Sequence, residues 1–344
     1  MGYYDGTKLL SLMDASGNKP EIYLCCSNRS AGKTTFFGRW MVNRFLKHDE
    51  KFMLIYRYNY ELSDIAEKFF RELKDLFFPD MIMESKNRAK GVYSELLLND
   101  KPCGYAVSIN NSDQIKKMSH LFADTERMLF DEFQSESNHY CDNEIEKFIS
   151  LHTSVARGNG KQVRYVPVFL LGNYVSMLNP YFYALGISDR LQLETNFMRG
   201  DGWVLEQGFN TSASDLQKQS AFNRAFATNE YTRYNTEKYY LNDQDAFIER
   251  PSGSGKYLCT IIHNGKLYGI REFRESGIVY CDNSADESFP IRLCVNPEDH
   301  DINYVMLRKN DMFINLLRWY FEHGAFRFKN LECKKAILEI CVYR

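Results

Sequence analysis

The stretch EIYLCCSNRSAGKTTFFGRW, residues 21 to 40, decides the fold of this chain. Its apolar start, residues 21–26, predicts a buried strand, and apolar side chains recur at helical spacing from Phe37 onward. Between them, Gly32, Lys33 and Thr34 match the end of a phosphate-binding loop, which reads Gly, any four residues, Gly-Lys and then Ser or Thr. Strand, loop and helix follow each other in the order that such a loop requires. Ser27 departs from the pattern, because it stands where the first glycine is expected.

The loop would bind phosphate through backbone N–H groups at a helix N-terminus, where unpaired donors and the helix dipole favour an anion. Lys33 would bridge the outer phosphates of ATP, and the Thr34 hydroxyl would ligate magnesium, so ATP and Mg²⁺ are the expected cofactors. The alternative is a serine-rich turn, and Ser27 fits a phosphate loop only if its φ is negative. The residues predicted to contact the nucleotide are Ser27, Asn28, Arg29, Ser30, Ala31, Gly32, Lys33, Thr34 and Thr35.

Beyond the loop, the sequence predicts alternating strands and helices, which is typical of a mainly parallel sheet with flanking helices. Ser63 is a plausible cap for the second helix. The pattern stops near Gly200, so residues 1–200 are expected to form one α/β domain. The expected strands are 51–57, 127–133 and 163–173, the expected helices are 63–77 and 143–158, and a hairpin is expected at 92–98 and 104–109.

The second part of the chain differs in composition. Residues 201–243 are polar and predict a partly helical linker, and residues 244–344 predict a small α+β domain. That domain is expected to hold a three-stranded antiparallel meander and an apolar helix that ends at Gly324. A second Gly-Lys sequence at 252–257 imitates a phosphate loop, but a tyrosine replaces the required hydroxyl and a strand-like run follows it.

Composition limits the class of protein. The net charge of −2 gives no global case for nucleic-acid binding, so any such surface must be local. The nine cysteines contain no C-x-x-C pair, which argues against a disulfide framework or a zinc site and predicts free buried thiols. No segment approaches the roughly 18 uninterrupted apolar residues that a membrane helix needs, and the first ten residues carry no export or lipidation signal. A soluble, cytosolic protein is expected.

Two further segments supply polar residues at predicted strand ends. Asp131 and Glu132 follow a buried strand, so Asp131 can face a metal while Glu132 deprotonates an attacking water. Asn173 ends the next strand and could hold that water beside the γ-phosphate. The alternatives are ordinary solvated turn residues at both places.

Several basic residues are candidates for the remaining roles. Arg157 could neutralise charge on the transferred phosphoryl group, most naturally in a neighbouring subunit, or it could simply cap a helix C-terminus. Lys116 and Lys117 could contribute likewise or lie in a solvated loop. A basic cluster of three residues could contact a nucleic-acid backbone, although a solvated charged loop is the simpler interpretation. Its members are Lys86, Arg88 and Lys90.

The segments NRSAGKTT (28–35), MLFDEF (128–133) and GNYVSMLNPYF (172–182), in that order and spacing, resemble the genome-packaging ATPase of small tailed phages with protein-primed DNA. The resemblance runs from about residue 17 to residue 340, and NPYF is its most specific part. It implies a P-loop NTPase domain of the ASCE-like type and a C-terminal domain that resembles a ribonuclease-H fold without nuclease activity.

The resemblance also implies partners and roles. It implies a homomeric ring, commonly of five subunits, that docks on a phage portal and drives double-stranded DNA into a capsid, in the host cytoplasm and transiently on the procapsid. A packaging RNA is restricted to some members. Lys33 and Thr34 match the phosphate-loop positions, Asp131 and Glu132 the metal and base acids, and Arg157 the trans-acting arginine. The family's trans-acting lysine falls at Lys117, with Lys116 equally placed.

Two other functions remain open from the sequence. A DNA-cleaving nuclease would need several acids converging on metals, and only Asp282, Asp286 and Glu287 cluster, loosely, in the second domain. A scaffold that holds a nucleotide without hydrolysing it would have no use for Glu132.

Overall fold

The computed structural model describes residues 4–137, 139–157, 162–188, 190–191, 194–238, 240–241, 250–308, 311–323 and 325–341. These residues divide into two compact units. The first contains the described residues up to Gln134 together with Glu144–Tyr174 and the described part of 181–238. The second contains the described residues of 135–143, 175–180 and the chain from Tyr240 onward.

Nine strands of the first unit form one sheet within the described residues. Six neighbouring strands run parallel, so their carboxyl ends share one edge. The strands are β1 (Ile22–Cys26), β2 (Lys51–Tyr56), β3 (Met83–Arg88), β4 (Tyr93–Leu98), β5 (Lys101–Ser108), β6 (Thr125–Asp131), β7 (Val168–Gly172), β8 (Phe197–Gly200) and β9 (Trp203–Gln207). Their order in the sheet is β3-β4-β5-β2-β6-β7-β1-β9-β8. The predicted α/β class with a mainly parallel sheet is confirmed.

The described residues up to 238 also form nine α-helices. They are α1 (Thr7–Leu10), α2 (Lys33–His48), α3 (Glu61–Phe77), α4 (Ser112–Lys117), α5 (Glu144–Val155), α6 (Pro180–Ala184), α7 (Thr211–Gln219), α8 (Ala221–Ala225) and α9 (Glu230–Thr236). The helix after the loop buries Phe37, Met41 and Phe45, which recur every four residues on one face. Burying each such side chain stabilises the fold by about 1.5–3 kcal/mol. Gly38 lets α2 approach α3, since a Cβ there would lie 2.9 Å from the Phe69 ring.

The predicted hairpin is confirmed as β4 and β5, which pair antiparallel. Its turn residues Asn99 and Asp100 have φ values of 48° and 64°, as a two-residue hairpin turn requires. The hairpin continues the sheet, because β5 pairs parallel with β2. The basic segment before it is not a loop as the simpler interpretation had it. It forms the edge strand β3. Because most side chains of β3 are exposed and polar or charged, the strand lacks the alternation of apolar and polar residues by which a strand is usually predicted.

Three other predicted boundaries are wrong. Ser63 is not a cap, because α3 begins at Glu61, whose carboxylate accepts the Tyr58 backbone N–H. Residues 163–167 precede β7 and are not part of it. The sheet does not stop near Gly200, because β9, at the start of the predicted linker, pairs parallel with β1. Strand β9 escaped prediction since it is short and ends in the buried polar residues Glu206 and Gln207.

The second unit is a six-stranded sheet with two helices among the described residues. Its elements are β10 (Lys256–His263), β11 (Lys266–Phe273), β12 (Ile278–Asp282), β13 (Arg292–Cys294), β14 (Val305–Met306), β15 (Phe326–Phe328), α10 (Met312–Glu322) and α11 (Leu331–Cys341). The predicted meander is confirmed as β10, β11 and β12. Strands β13, β14 and β15 were not predicted, and Gly324 lies outside the described residues. The roles assigned to the two domains stay predictions.

Two compositional expectations can be compared with the structure. All nine cysteines are buried and free, as predicted. In the part of the chain that the structure describes, no helix combines the length and the apolarity needed to cross a membrane.

Candidate functional site

The phosphate loop joins β1 to α2 at the carboxyl edge of the sheet. Its left-handed positions are Ser30, with φ 60°, and Gly32, with φ 94°. Ser27 is not among the residues with positive φ, so its Cβ causes no backbone strain. The departure from the usual first glycine is therefore compatible with the loop.

Lys33 lies buried inside the loop, 7% exposed. Its Nζ donates to Ser27 Oγ and Asn173 Oδ1, each at 3.0 Å, and lies 3.3 and 3.4 Å from the Asn28 and Ser27 carbonyl oxygens. Burial lowers the pKa of this ammonium group, while nearby Cys25 and Asp131 oppose the shift. The structure thus brings the predicted lysine and the predicted polar residue after β7 together.

The Ser27→Gly variant tests whether the serine matters. We expect its affinity for Mg-ATP to stay within about fivefold of wild type, because the variant loses only the hydroxyl's hydrogen bonds with Lys33 and with the Asn28 carbonyl, and φ needs no glycine. Calorimetric titration with a slowly hydrolysed ATP analogue measures this. A change of a hundredfold in either direction would contradict it.

A hydroxyl and a carboxylate face each other beside the loop. Thr34 Oγ1 donates to Asp131 Oδ2 over 2.7 Å, which joins the first turn of α2 to the end of β6. Burial raises the pKa of the Asp131 carboxyl, and the Thr34 hydroxyl and the Lys33 ammonium partly oppose the shift. Oxygen donors of these two types fit magnesium, either directly or through water.

The raised pKa of Asp131 predicts a pH-dependent stability. The folded chain holds the proton of the Asp131 carboxyl up to a higher pH than the unfolded chain does, so protonation of Asp131 stabilises the fold at low pH. This contribution to the free energy of unfolding is lost as the pH rises through the raised pKa. We therefore expect nucleotide-free Asp131→Asn to be more stable than wild type by about 1 kcal/mol at pH 8, with a smaller gap at pH 5. Urea unfolding at both pH values measures the difference, and a variant less stable at pH 8 would contradict the prediction.

Glu132 follows directly and is exposed. Its φ of 55° is left-handed, and its backbone N–H donates to Asp131 Oδ1 over 3.0 Å. Such a conformation costs a non-glycine residue of order 1–3 kcal/mol and is typical of functional sites. Asp131 is therefore engaged by the Thr34 hydroxyl and the Glu132 backbone, whereas the Glu132 residue is exposed.

The hydrogen bonds that connect the phosphate loop to the residue before α7 were not predicted from the sequence. Asn28 Oδ1 accepts the Asn210 backbone N–H over 2.8 Å, and Asn28 Nδ2 donates to the Asn210 carbonyl over 3.1 Å. Asn210 also caps α7 by accepting the Ala213 N–H, and Arg29 donates to the Tyr231 hydroxyl. Asparagine before a serine-rich run is an N-cap pattern and could have located this helix, although not its partner.

Arg157 is not brought to this site. It is exposed just beyond α5, and the Ala156 carbonyl accepts the Arg164 N–H over 2.9 Å. Residue 164 precedes β7, so the end of α5 lies toward the amino edge of the sheet, opposite the phosphate loop. Lys116 and Lys117 are both exposed in the last turn of α4, and the structure does not distinguish them.

The predicted basic cluster lies on the opposite flank of the sheet from β1. Lys86 is 3.8 Å from Glu84, and Arg88 is 2.6 Å from Glu95, so both have acidic neighbours. Lys90 is exposed in the turn after β3, with φ 58°.

The acids of the second unit do not converge. Asp282 Oδ1 accepts from Arg271 Nη1 over 2.6 Å, and Asp286 Oδ1 accepts from the Ser288 hydroxyl over 2.6 Å. Across the described residues of both units, no group of three or more His, Cys, Asp or Glu side chains is arranged to hold a metal ion. The nuclease alternative therefore gains no support.

Comparison with known proteins agrees with this geometry. The family model of the podovirus DNA encapsidation protein (Gp16) matches residues 3–343. The chain belongs to this family. The DNA packaging protein of Bacillus phage phi29 is 25% identical over 316 residues, which cover 91% of this chain and 90% of that protein. The DNA packaging protein of Bacillus phage B103 is 24% identical over 311 residues, which cover 88% and 90%.

Two solved structures support the fold. The bacteriophage Phi-29 viral genome packaging motor assembly aligns with a TM-score of 0.56 at 23% identity, covering 96% of this chain and 95% of that one. The Phi-28 gp11 DNA packaging motor aligns with a TM-score of 0.60 at 15% identity, covering 99% and 98%. As a member of the Gp16 family, the chain is a phage DNA encapsidation protein.

Proposed function

We propose that this chain hydrolyses ATP to move double-stranded DNA into a phage capsid, as one subunit of a homomeric ring. One observation carries the proposal: the carboxyl ends of three parallel strands bring the loop, the acid pair and Asn173 together. Thr34 Oγ1 lies 2.7 Å from Asp131 Oδ2, and Lys33 Nζ lies 3.0 Å from Asn173 Oδ1.

The side chains divide the chemistry among them. Lys33 exchanges its contacts with Ser27 and Asn173 for oxygens of the β- and γ-phosphates. Thr34 and Asp131 hold magnesium, which when bound neutralises charge on those oxygens. Asn173, released from Lys33, orients the attacking water, and the Glu132 carboxylate accepts its proton.

Arg157 acts on a neighbouring subunit. Its position toward the amino edge keeps it from the phosphate loop of its own chain, so each site is completed by the next subunit. A head-to-tail contact of this kind forms a ring when the rotation between subunits closes. Lys117 or Lys116 acts beside Arg157, and the family resemblance favours five subunits.

The partners follow from the same resemblance. The relatives are named as packaging proteins and motor assemblies of phages. We propose that this ring docks on the portal of the procapsid in the host cytoplasm, with a packaging RNA as an optional partner. Lys90, with Lys86 and Arg88, contacts DNA phosphates, so binding should weaken steeply as salt rises.

The function is tested by measuring phosphate release with and without linear double-stranded DNA. We expect DNA to stimulate hydrolysis at low salt and to lose this effect at high salt. Failure of the purified protein to release phosphate under any condition would contradict the proposal and favour a nucleotide-holding scaffold. Magnesium-dependent nicking of a supercoiled plasmid in the same reactions would favour the nuclease.

A further inference from the structure

Arg57, directly after β2, is buried beside the acid pair and was not predicted from the sequence. Its guanidinium group is shared between a carboxylate and the main chain. Nε and Nη2 donate to Glu144 at 2.9 and 3.1 Å. Nη2 also donates to the Phe133 carbonyl at 2.7 Å, and Nη1 lies 3.3 Å from the Glu132 carbonyl.

A tyrosine completes the arrangement from the other side. The Tyr181 hydroxyl donates to Glu144 Oε1 over 2.8 Å. Tyr181 belongs to the NPYF segment, to which the proposed chemistry assigns no role. Its ring packs edge-on against Phe130, Phe133 and Phe148, with centroids 5.4–5.8 Å apart. The hydroxyl can therefore be removed without removing the packing.

The burial of the Arg57–Glu144 ion pair indicates a role other than stabilising the fold. The side chains of Arg57 and Glu144 are 9% and 1% exposed. Burying an ion pair costs desolvation that its mutual attraction barely offsets, so apolar residues of the same volume would stabilise the fold as well or better. What an apolar pair could not do is bind two successive carbonyl groups. Those carbonyls belong to Glu132, whose φ is left-handed, and to the next residue, Phe133.

We propose that Arg57, Glu144 and Tyr181 are positioning residues that fix the direction of the Glu132 carboxylate. Arg57 fixes the carbonyls of the two successive peptides that flank Phe133. Glu144 fixes Arg57 bidentately, and Tyr181 fixes Glu144. This inference rests on the proposed role of Glu132 as the base, because a side chain that does not accept a proton needs no such support.

Three variants test the inference. Tyr181→Phe removes only the hydroxyl, Glu144→Gln removes the charge, and Arg57→Lys keeps a charge but loses the fork that binds carbonyls and carboxylate together. We expect each to lower kcat for ATP hydrolysis by about tenfold or more, since small displacements of a catalytic group have effects of this size. The Kd for a slowly hydrolysed ATP analogue should stay within about twofold, because no contact to the phosphate loop changes.

A matched control is available in the same unit. Tyr105 is also a buried tyrosine whose hydroxyl donates to a carboxylate, Asp124, over 3.1 Å, and whose ring packs edge-on against Tyr93 and Phe122. It lies on β5, away from the acid pair. Tyr105→Phe should therefore hydrolyse ATP at the wild-type rate.

A double variant separates positioning from a general structural defect. In single-turnover measurements, Tyr181→Phe added to Glu132→Gln should cause no further loss, because the base to be positioned is absent. The inference would be overturned if Tyr181→Phe lowered the single-turnover rate equally in wild type and in Glu132→Gln. It would also be overturned if Tyr181→Phe and Arg57→Lys kept the wild-type kcat while Glu132→Gln was inactive. Wild-type hydrolysis by Glu132→Gln itself would instead overturn the proposed function.

Discussion

Glu132→Gln is expected to lower the rate of phosphate release by about 10²- to 10⁴-fold while Mg-ATP still binds. The amide keeps the size of the side chain but cannot accept a proton from the attacking water. Binding should persist, because the contacts of Lys33 and Thr34 do not involve the Glu132 side chain. Radiolabelled phosphate release, with analogue binding measured on the same preparation, gives both quantities.

The chain supplies a control for this experiment. Asp286 and Glu287 form another Asp-Glu pair, exposed in the second unit. Glu287→Gln should leave phosphate release unchanged. Equal losses in both variants, or normal turnover by Glu132→Gln, would show that Glu132 is not the base.

Arg157→Ala is expected to bind Mg-ATP normally and to lose about 10³- to 10⁵-fold in hydrolysis, the range for removal of a trans-acting arginine. The reason is geometric. Arg157 follows α5 toward the amino edge, so within one chain it does not meet the γ-phosphate, whereas a neighbouring subunit can receive it. Exposed Arg199, on β8, provides a control, and Arg199→Ala should hydrolyse ATP normally.

Mixing the Arg157→Ala and Glu132→Gln proteins tests whether Arg157 acts on the nucleotide of a neighbouring subunit. A ring that contains both Arg157→Ala and Glu132→Gln subunits holds some interfaces with an intact base on one side and an intact arginine on the other. Hydrolysis should therefore reappear in the mixture. Normal turnover by Arg157→Ala alone, or a mixture as inactive as its parts, would contradict the assignment.

The parts of the site that the sequence predicted share one physical basis. Parallel strands place their carboxyl ends at one edge, so a loop after β1 and acids after β6 must lie near each other once the strands are recognised. The contact between Thr34 and Asp131 bridges 97 positions and was still predictable on this ground. The same reasoning placed Asn173 beside Lys33.

The parts that were missed depend on information that local patterns do not carry. The φ of Ser27 is set by the folded loop. Arg57 and Glu144 are 87 positions apart, and no local pattern in either segment predicts that they pair. The Asn28 and Asn210 pair likewise joins the loop to a stretch whose polarity predicts a linker. Strand β9 is stabilised by pairing with β1. This pairing cannot be predicted from a short apolar run that ends in polar residues.

A crystal structure with magnesium and a slowly hydrolysed ATP analogue would show whether loop 27–34 and the acid pair hold one nucleotide. We expect the outer phosphates to lie within hydrogen-bonding distance of Lys33 Nζ, with the metal against the Thr34 hydroxyl and the γ-phosphate facing Glu132 and Asn173. Phosphates bound elsewhere, for example at the second Gly-Lys sequence around Lys256, with loop 27–34 unoccupied at saturating analogue, would contradict it.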